Sequence, residues 1–219
     1  MSSPRARFIS FEGTEGCGKS TQVAMLEAWL VSQRYEVLVL REPGGTVVGE
    51  AVRHVLKHDP DIPSMHPETE LLLFAASRAE LTRQRILPHL KKGGWVLCDR
   101  FLDSTTVYQG VGRRLNMEAV NSINDFATGG LRPGLTLLLD LPAAVAMQRM
   151  RSRVGEATAP DRMEQESDGF YEIVCQAYRE LADRENGRVV TVAADTDRDT
   201  LFNAIKEVVR HAFPGELDS

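Results

Sequence analysis

The chain runs to 219 residues, 42% of them hydrophobic and 26% charged, an ordinary globular composition with length enough for one well-buried core. A formal net charge of −5 argues against nucleic acid as the main partner, because a phosphate backbone requires a basic footprint, whereas a small phosphorylated ligand needs only a local group of arginines. No stretch has the apolar length of a membrane span and Met1 to Arg7 lacks a signal-peptide core, so no membrane partner and a cytoplasmic location are expected.

The first predicted element is a strand over residues 8–11, where Phe8-Ile9-Ser10-Phe11 alternates. Behind it stands Gly13-Thr14-Glu15-Gly16-Cys17-Gly18-Lys19-Ser20, a complete GxxxxGK(S/T) signature, and a helix is predicted over 21–32, beginning at Thr21. Strand, Gly-rich turn and helix N-terminus together make a cradle for phosphate. Loop N–H groups and the positive helix end face the anion, Lys19 reaches the outer phosphates, and the Ser20 hydroxyl can hold Mg²⁺. The chain is therefore expected to bind a nucleoside triphosphate. Cys17, Cys98 and Cys175 are odd in number and form no CxxC pair, which suits a reducing cytosol and offers neither a disulfide frame nor a zinc site. Cys17 is either a thiol activated by the helix end or a small residue that fits the turn.

A second strand is predicted over 37–40, followed by Arg41-Glu42-Pro43-Gly44-Gly45-Thr46 and a helix over 47–56. A longer helix over 68–90 carries Phe74 and Arg78 four residues apart, so both project from one face and could stack a flat base and donate to its carbonyl oxygens. A third strand, 95–98, leads into Asp99-Arg100. An acid at a strand end beside a phosphate loop is the usual second anchor for Mg²⁺, directly or through water, and the neighbouring arginine supplies a phosphate-binding fork. Ser104, Thr105, Tyr108 and Gln109 follow on a loop expected to run into a helix, and a helix is predicted over 117–126.

The fourth strand, 135–139, ends in Asp140, which competes with Asp99 for the metal role. A helix over 143–151 then delivers Arg149, Arg151 and Arg153, and the Gly/Ala/Thr/Pro segment after them suits a lid over roughly residues 150–162. Arginines on such a lid could close over a transferring phosphoryl group; the other meaning of the run is a solvated charged helix end. Helices over 165–184 and 200–211 flank a last strand, 189–192. Five near-continuous apolar strands alternating with helices indicate an α/β fold, a five-stranded parallel sheet covered on both faces, in a single domain over residues 1–219. Such sheets bind ligands at the carboxyl ends of their strands, where the phosphate loop, residues 41–46, Asp99–Asp103 and Asp140 all fall.

Taken in order, Gly13–Thr21, Arg41–Thr46, Leu73–Arg78, Asp99-Arg100-Phe101, Tyr108-Gln109-Gly110 and Asp161–Glu164 resemble bacterial thymidylate kinases, members of the P-loop nucleoside monophosphate kinases. The resemblance covers nearly the whole chain. It implies phosphoryl transfer from ATP·Mg²⁺ to dTMP, giving dTDP and ADP for dTTP synthesis, in a homodimer. It implies that Gly13 to Thr21 bind ATP, with Lys19 catalytic and Ser20 and Asp99 serving Mg²⁺. It further implies that Glu15 sits near the sugar 3′-hydroxyl, Arg100 holds the acceptor phosphate, Phe74 stacks the base and Arg78 bonds its O4. Glu42 and Pro43, Ser104, Thr105 at the N3 edge, Tyr108 in place of a ribose 2′-hydroxyl, and Gln109 complete the acceptor set. Some relatives carry a catalytic arginine in the phosphate loop where this chain has Gly16, so Arg149, Arg151 and Arg153 are the candidates. Phe101 stands where Tyr or His is commoner. A kinase for another small acceptor is the nearest rival, and a guanine-nucleotide switch is opposed by the lack of NKxD and DxxG segments.

Overall fold

Strands buried on both faces need no polar alternation, and the five predicted apolar runs form one parallel sheet with Phe8–Glu12 central, Trp95–Asp99 and then Val37–Arg41 on one side, and Leu135–Asp140 and then Val189–Ala193 on the other. In the computed structural model, which describes residues 5–59, 61–62, 64–149, 166–185 and 187–217 and the backbone of 150–153, β1 (Phe8–Glu12) leads to α1 (Lys19–Ser32). The chain continues through β2 (Val37–Arg41), α2 (Val47–Lys57), α3 (Pro67–Leu81), α4 (Leu87–Lys91) and β3 (Trp95–Asp99). It then passes α5 (Leu102–Thr105), α6 (Met117–Thr128), β4 (Leu135–Asp140), α7 (Ala143–Arg153), α8 (Asp168–Arg184), β5 (Val189–Ala193) and α9 (Arg198–Ala212).

Successive β1 side chains point to opposite faces, and each face is buried by different helices. Ile9 and Phe11 pack with Leu137 and Leu139 against Leu26 and Leu30 of α1 and Ile205 and Val209 of α9. On the other face Phe8, Val96 and Cys98 meet Leu81, Ile86 and Phe101, while Leu138 and Val189 meet Val174, Tyr178 and Leu181. Glu12 therefore projects on the second face, at the carboxyl end of the central strand. Phe11 lies level with Asp99 of β3 and Leu137 of β4, so the ends of three adjacent strands open into one crevice.

Three differences from the sequence expectation have physical causes. Several strands run one residue further, into Glu12, Arg41, Asp99 and Asp140, because the hydrogen-bond ladder continues past the point where apolar residues stop. The helix expected over 68–90 is broken by a wide turn at Thr82–Ile86, where Leu87 N–H reaches back to Thr82 O. Pro88 follows, and its ring has no N–H for a regular helical bond. The loop expected after Arg100 is helical: α5 passes directly into a wide helical turn, Thr106–Gly112, that carries Tyr108 and Gln109. The lid expected over 150–162 lies largely outside the described residues, as do Asp161, Arg162 and Glu164 and the side chains of Arg151 and Arg153.

Candidate active site

The phosphate loop joins β1 to α1 with Gly13, Gly16 and Gly18 all at positive φ. At Gly13 a Cβ would sit 2.6 Å from Leu139 O, so only glycine lets the loop lie flat against β4. Gly18 caps α1 with no side-chain hydrogen bond and no acid in the first turn, which leaves the helix N–H groups and its positive end open to an anion. Lys19 is buried, its ammonium donating to Gly13 O at 3.0 Å and Thr14 O at 2.9 Å across the loop. At Gly16 (φ 80) a Cβ would fall 3.0 Å from Ala146 O and 3.3 Å from Arg149 Cβ. A side chain at that position would be strained by the positive φ and would crowd α7, while Arg149 of α7 donates to Gly16 O at 3.4 Å.

Ser20 Oγ donates to Asp99 Oδ2 at 3.0 Å, and both open onto a groove of about 840 Å³. Among the described residues no group of three or more His, Cys, Asp and Glu could hold a metal. A hydroxyl and one carboxylate fit Mg²⁺, which keeps water and phosphate oxygens in most of its coordination sphere. Asp140 is otherwise engaged, held by Arg179 of α8 through contacts of 3.0–3.2 Å.

Beside the loop lies a cavity of about 360 Å³. One wall is the turn after β2. There Arg41 donates to Pro43 O, Gly45 N–H to Glu50, Gly44 N–H to Ser77 Oγ, and Thr46 caps α2 by accepting from Gly49 N–H. These bonds present Glu42 and Pro43 to the cavity. Lys57 comes from the other end of α2, Phe74 from α3, and Ser104, Thr105, Tyr108 and Gln109 from the helix after Arg100.

Arg100 has φ 71, uncommon for a residue with a Cβ and a mark of a position fixed by its surroundings. Its guanidinium donates to Glu15 at 2.7 Å and Ser104 Oγ at 3.0 Å and lies 5.1 Å from the centre of the Tyr108 ring. Tyr108 also donates to Glu15 at 3.0 Å. Burial opposes the Glu15 charge, but Arg100, Lys19 and Lys57 outweigh it and hold the carboxyl at about 2. Behind them Glu12, fully buried, accepts from Phe101 N–H, Ser104 Oγ and Tyr178 OH at 2.6–2.8 Å. Burial, then Asp103, raises its pKa.

The sequence of residues 68–90 puts Arg78 beside Phe74 in the acceptor site, and the structure separates them. Phe74 lines the cavity, but Arg78 is buried behind it. Its guanidinium donates to Glu42 at 2.6 and 2.9 Å, to Asn124 at 2.8 Å and to Phe101 O at 3.2 Å. Burial, only partly countered by Arg78, pushes Glu42 up to about 7. Its second oxygen and the Thr105 hydroxyl have no hydrogen-bond partner among the described residues and are both buried at the cavity.

A phosphate loop, a metal-competent Ser–Asp pair and a cavity holding Arg100 and Phe74 describe a site for two phosphorylated substrates. The family model for thymidylate kinase matches residues 11–205. The chain belongs to the thymidylate kinase family. It is 48% identical over 185 residues to the thymidylate kinase of Kosmotoga olearia, covering 84% of this chain and 86% of that one. Identity to the thymidylate kinase of Desulforudis audaxviator is 47%, over 93% and 90% of the two chains. A crystal structure of thymidylate kinase from Ehrlichia chaffeensis superposes with a TM-score of 0.75 at 30% identity, over 94% of this chain and all of that one. The five-stranded parallel sheet with flanking helices is thus the fold of the thymidylate kinase family.

The structure gathers Glu15, Glu42, Pro43, Phe74, Arg100, Ser104, Thr105, Tyr108 and Gln109 at one cavity and Ser20 with Asp99 at the adjoining groove. It adds Glu12, Tyr178 and Lys57, which the sequence reading missed. Glu12 lies one residue past the strand expected over 8–11, and Tyr178 lies inside the helix expected over 165–184, where nothing in the spacing marks it. Lys57 lies one residue past the helix expected over 47–56.

Proposed function

We propose that the chain transfers the γ-phosphoryl group of ATP to dTMP, giving dTDP and ADP in dTTP synthesis, within a single kinase domain spanning residues 1–219. The observation that carries this reading is the Glu15–Arg100–Tyr108 cluster. It stands where the phosphate loop meets a cavity walled by Phe74 and Thr105. Gly13 to Thr21 bind the ATP phosphates, and Arg100 exchanges Glu15 for the acceptor phosphate. Glu15 then accepts from the sugar 3′-hydroxyl, and Tyr108 fills the place of a 2′-hydroxyl. Phe74 stacks the base, whose polar edge meets Thr105 and Gln109, while Arg78 reaches its carbonyl oxygen from behind Glu42.

Ser20 and Asp99 would hold Mg²⁺, which when bound neutralises charge on the ATP phosphates. No general base is required, because the attacking acceptor oxygen is already anionic, so these residues act by in-line alignment and charge neutralisation. With glycine rather than arginine at position 16, the transition-state cation comes from Arg149, Arg151 or Arg153; Arg149 already contacts the loop. The protein is proposed to work in the cytoplasm as a homodimer, a reading supported by its membership of the thymidylate kinase family. Among the described residues no helix is long and apolar enough to cross a membrane.

A coupled assay with ATP, Mg²⁺ and a panel of dTMP, dUMP, UMP, CMP and AMP tests the reading. The expected kcat/KM for dTMP exceeds that for dUMP by about tenfold or more, the scale of one methyl group in a fitted pocket. Equal rates across the panel would reject the substrate assignment.

A further inference from the structure

Gln109 lines the cavity from the wide helical turn Thr106–Gly112 and is itself buried. A side-chain amide has two unlike ends of nearly the same size. Its NH₂ donates and its carbonyl oxygen accepts, so packing alone does not choose which end meets a ligand. Here a carboxylate chooses. Gln109 Nε2 donates to Glu70 Oε1 at 2.7 Å, and Glu70, on α3 one turn before Phe74, is completely buried. Arg113 donates to both Glu70 oxygens at 3.3 Å. A carboxylate paired in this way only accepts, so it takes the NH₂ of Gln109 and leaves the carbonyl oxygen to meet a ligand. Turning the amide round would set that oxygen against the carboxylate, two buried acceptors face to face. Thymine and uracil carry an N3–H donor between two carbonyl oxygens, whereas N3 of cytosine is an acceptor beside a donating amino group. A fixed carbonyl oxygen therefore matches the first two bases and opposes the lone pair of the third.

We propose that Glu70 is a specificity-determining positioning residue, which holds the Gln109 amide with its carbonyl oxygen towards base N3 and so selects thymine and uracil over cytosine. The inference rests on the acceptor being a pyrimidine nucleotide seated in this cavity, as proposed above. Glu70 itself touches no substrate and acts through Gln109. The methyl group that separates thymine from uracil is left to the rest of the cavity.

Glu70→Gln keeps the shape but can donate as well as accept, which allows the Gln109 amide either orientation, and Glu70→Met removes the acceptor altogether. Glu166 keeps Arg113 paired in both variants. With melting temperatures taken to verify folding, kcat/KM is measured for dTMP, dUMP and dCMP. The preference for dTMP over dCMP is expected to fall about tenfold or more, the scale on which a fixed hydrogen-bonding group discriminates. The preference for dTMP over dUMP should stay that of the wild type, because those two bases present the same edge. A merely loosened cavity would lower both preferences together; that result, or an unchanged preference over dCMP in a folded variant, overturns the assignment. Gln109→Met tests the same idea with Glu70 intact. Its preference over dCMP should drop as well, and a wild-type value there would also overturn the proposal. Absence of dTMP turnover by the wild type would reject the proposed function, whereas normal wild-type turnover with unaltered preferences in the variants rejects only the role of Glu70.

Discussion

Glu42 is a residue on which burial and ion pairing pull in opposite directions. Burial wins and places its carboxyl at about 7, whereas a glutamate in an unfolded chain titrates near 4.3. Between those values the native state binds more protons than the unfolded one, so stability contributed by protonated Glu42 is lost as pH rises through 7. Glu42→Gln cannot ionise. The stability of the wild type relative to this variant should therefore fall between pH 5 and pH 8 in urea melts, and a constant difference would mean that the carboxylate is ionised throughout. Glu15 has the opposite sign: its carboxyl is held at about 2, so its contribution is present above about pH 4.3 and lost as the pH drops towards 2. Arg78 stood out in the sequence as a candidate base-reading arginine, and its burial was not legible there. Replacing it with Ala strands Glu42 in the interior, and a loss of about 3–5 kcal/mol is expected by chemical denaturation, in addition to any effect on dTMP binding. At the lid, one of Arg149→Ala, Arg151→Ala and Arg153→Ala should lower kcat about 10³-fold with little change in dTMP affinity. Normal turnover in all three would place the catalytic cation elsewhere.

Among the elements, the phosphate loop was the most readable because its chemistry is local. Six residues between a strand and a helix suffice to orient the N–H groups, and glycine at positive φ is visible in the motif itself. The turn at residues 41–46 was visible only as a pattern. Its cause is a set of side-chain bonds in which Arg41, Glu50, Ser77 and Thr46 clamp the backbone so that Glu42 and Pro43 face the cavity. Thr46→Ala removes the cap of α2, the helix that ends in Lys57, and should cost about 1 kcal/mol in thermal or urea unfolding. A stability equal to wild type would show the cap to be replaceable by water. The wide turns at Thr82–Ile86 and Thr106–Gly112 were not legible, since hydrophobic spacing hardly distinguishes one extra residue per turn from a regular helix.

Across the whole molecule, Val47 and Val48 of α2, Leu72 of α3 and Phe126 of α6 are exposed large apolar residues on helices that pack side by side, α2 on α3 and α3 on α6. We propose them as the contact face of the proposed homodimer, since exposed apolar groups mark association surfaces. Phe126, 83% exposed, is the most accessible aromatic among them. Phe126→Glu is expected to convert a dimer to a monomer in light scattering at micromolar concentration, and a monomeric wild type would rule the interface out. The sequence by itself determined the parallel α/β fold, the phosphate cradle and the family, because strand periodicity and contiguous motifs act over a few residues. Only the tertiary structure decided the cavity beside the phosphate loop. Glu15, Glu42, Lys57, Phe74 and Arg100 are far apart along the chain and meet only because the strand order brings the ends of β1, β2 and β3 together. Which side chain faces the cavity and which is buried behind it follows from packing on the sheet. That same burial sets the charge of Glu42, and spacing along the chain carries no record of either.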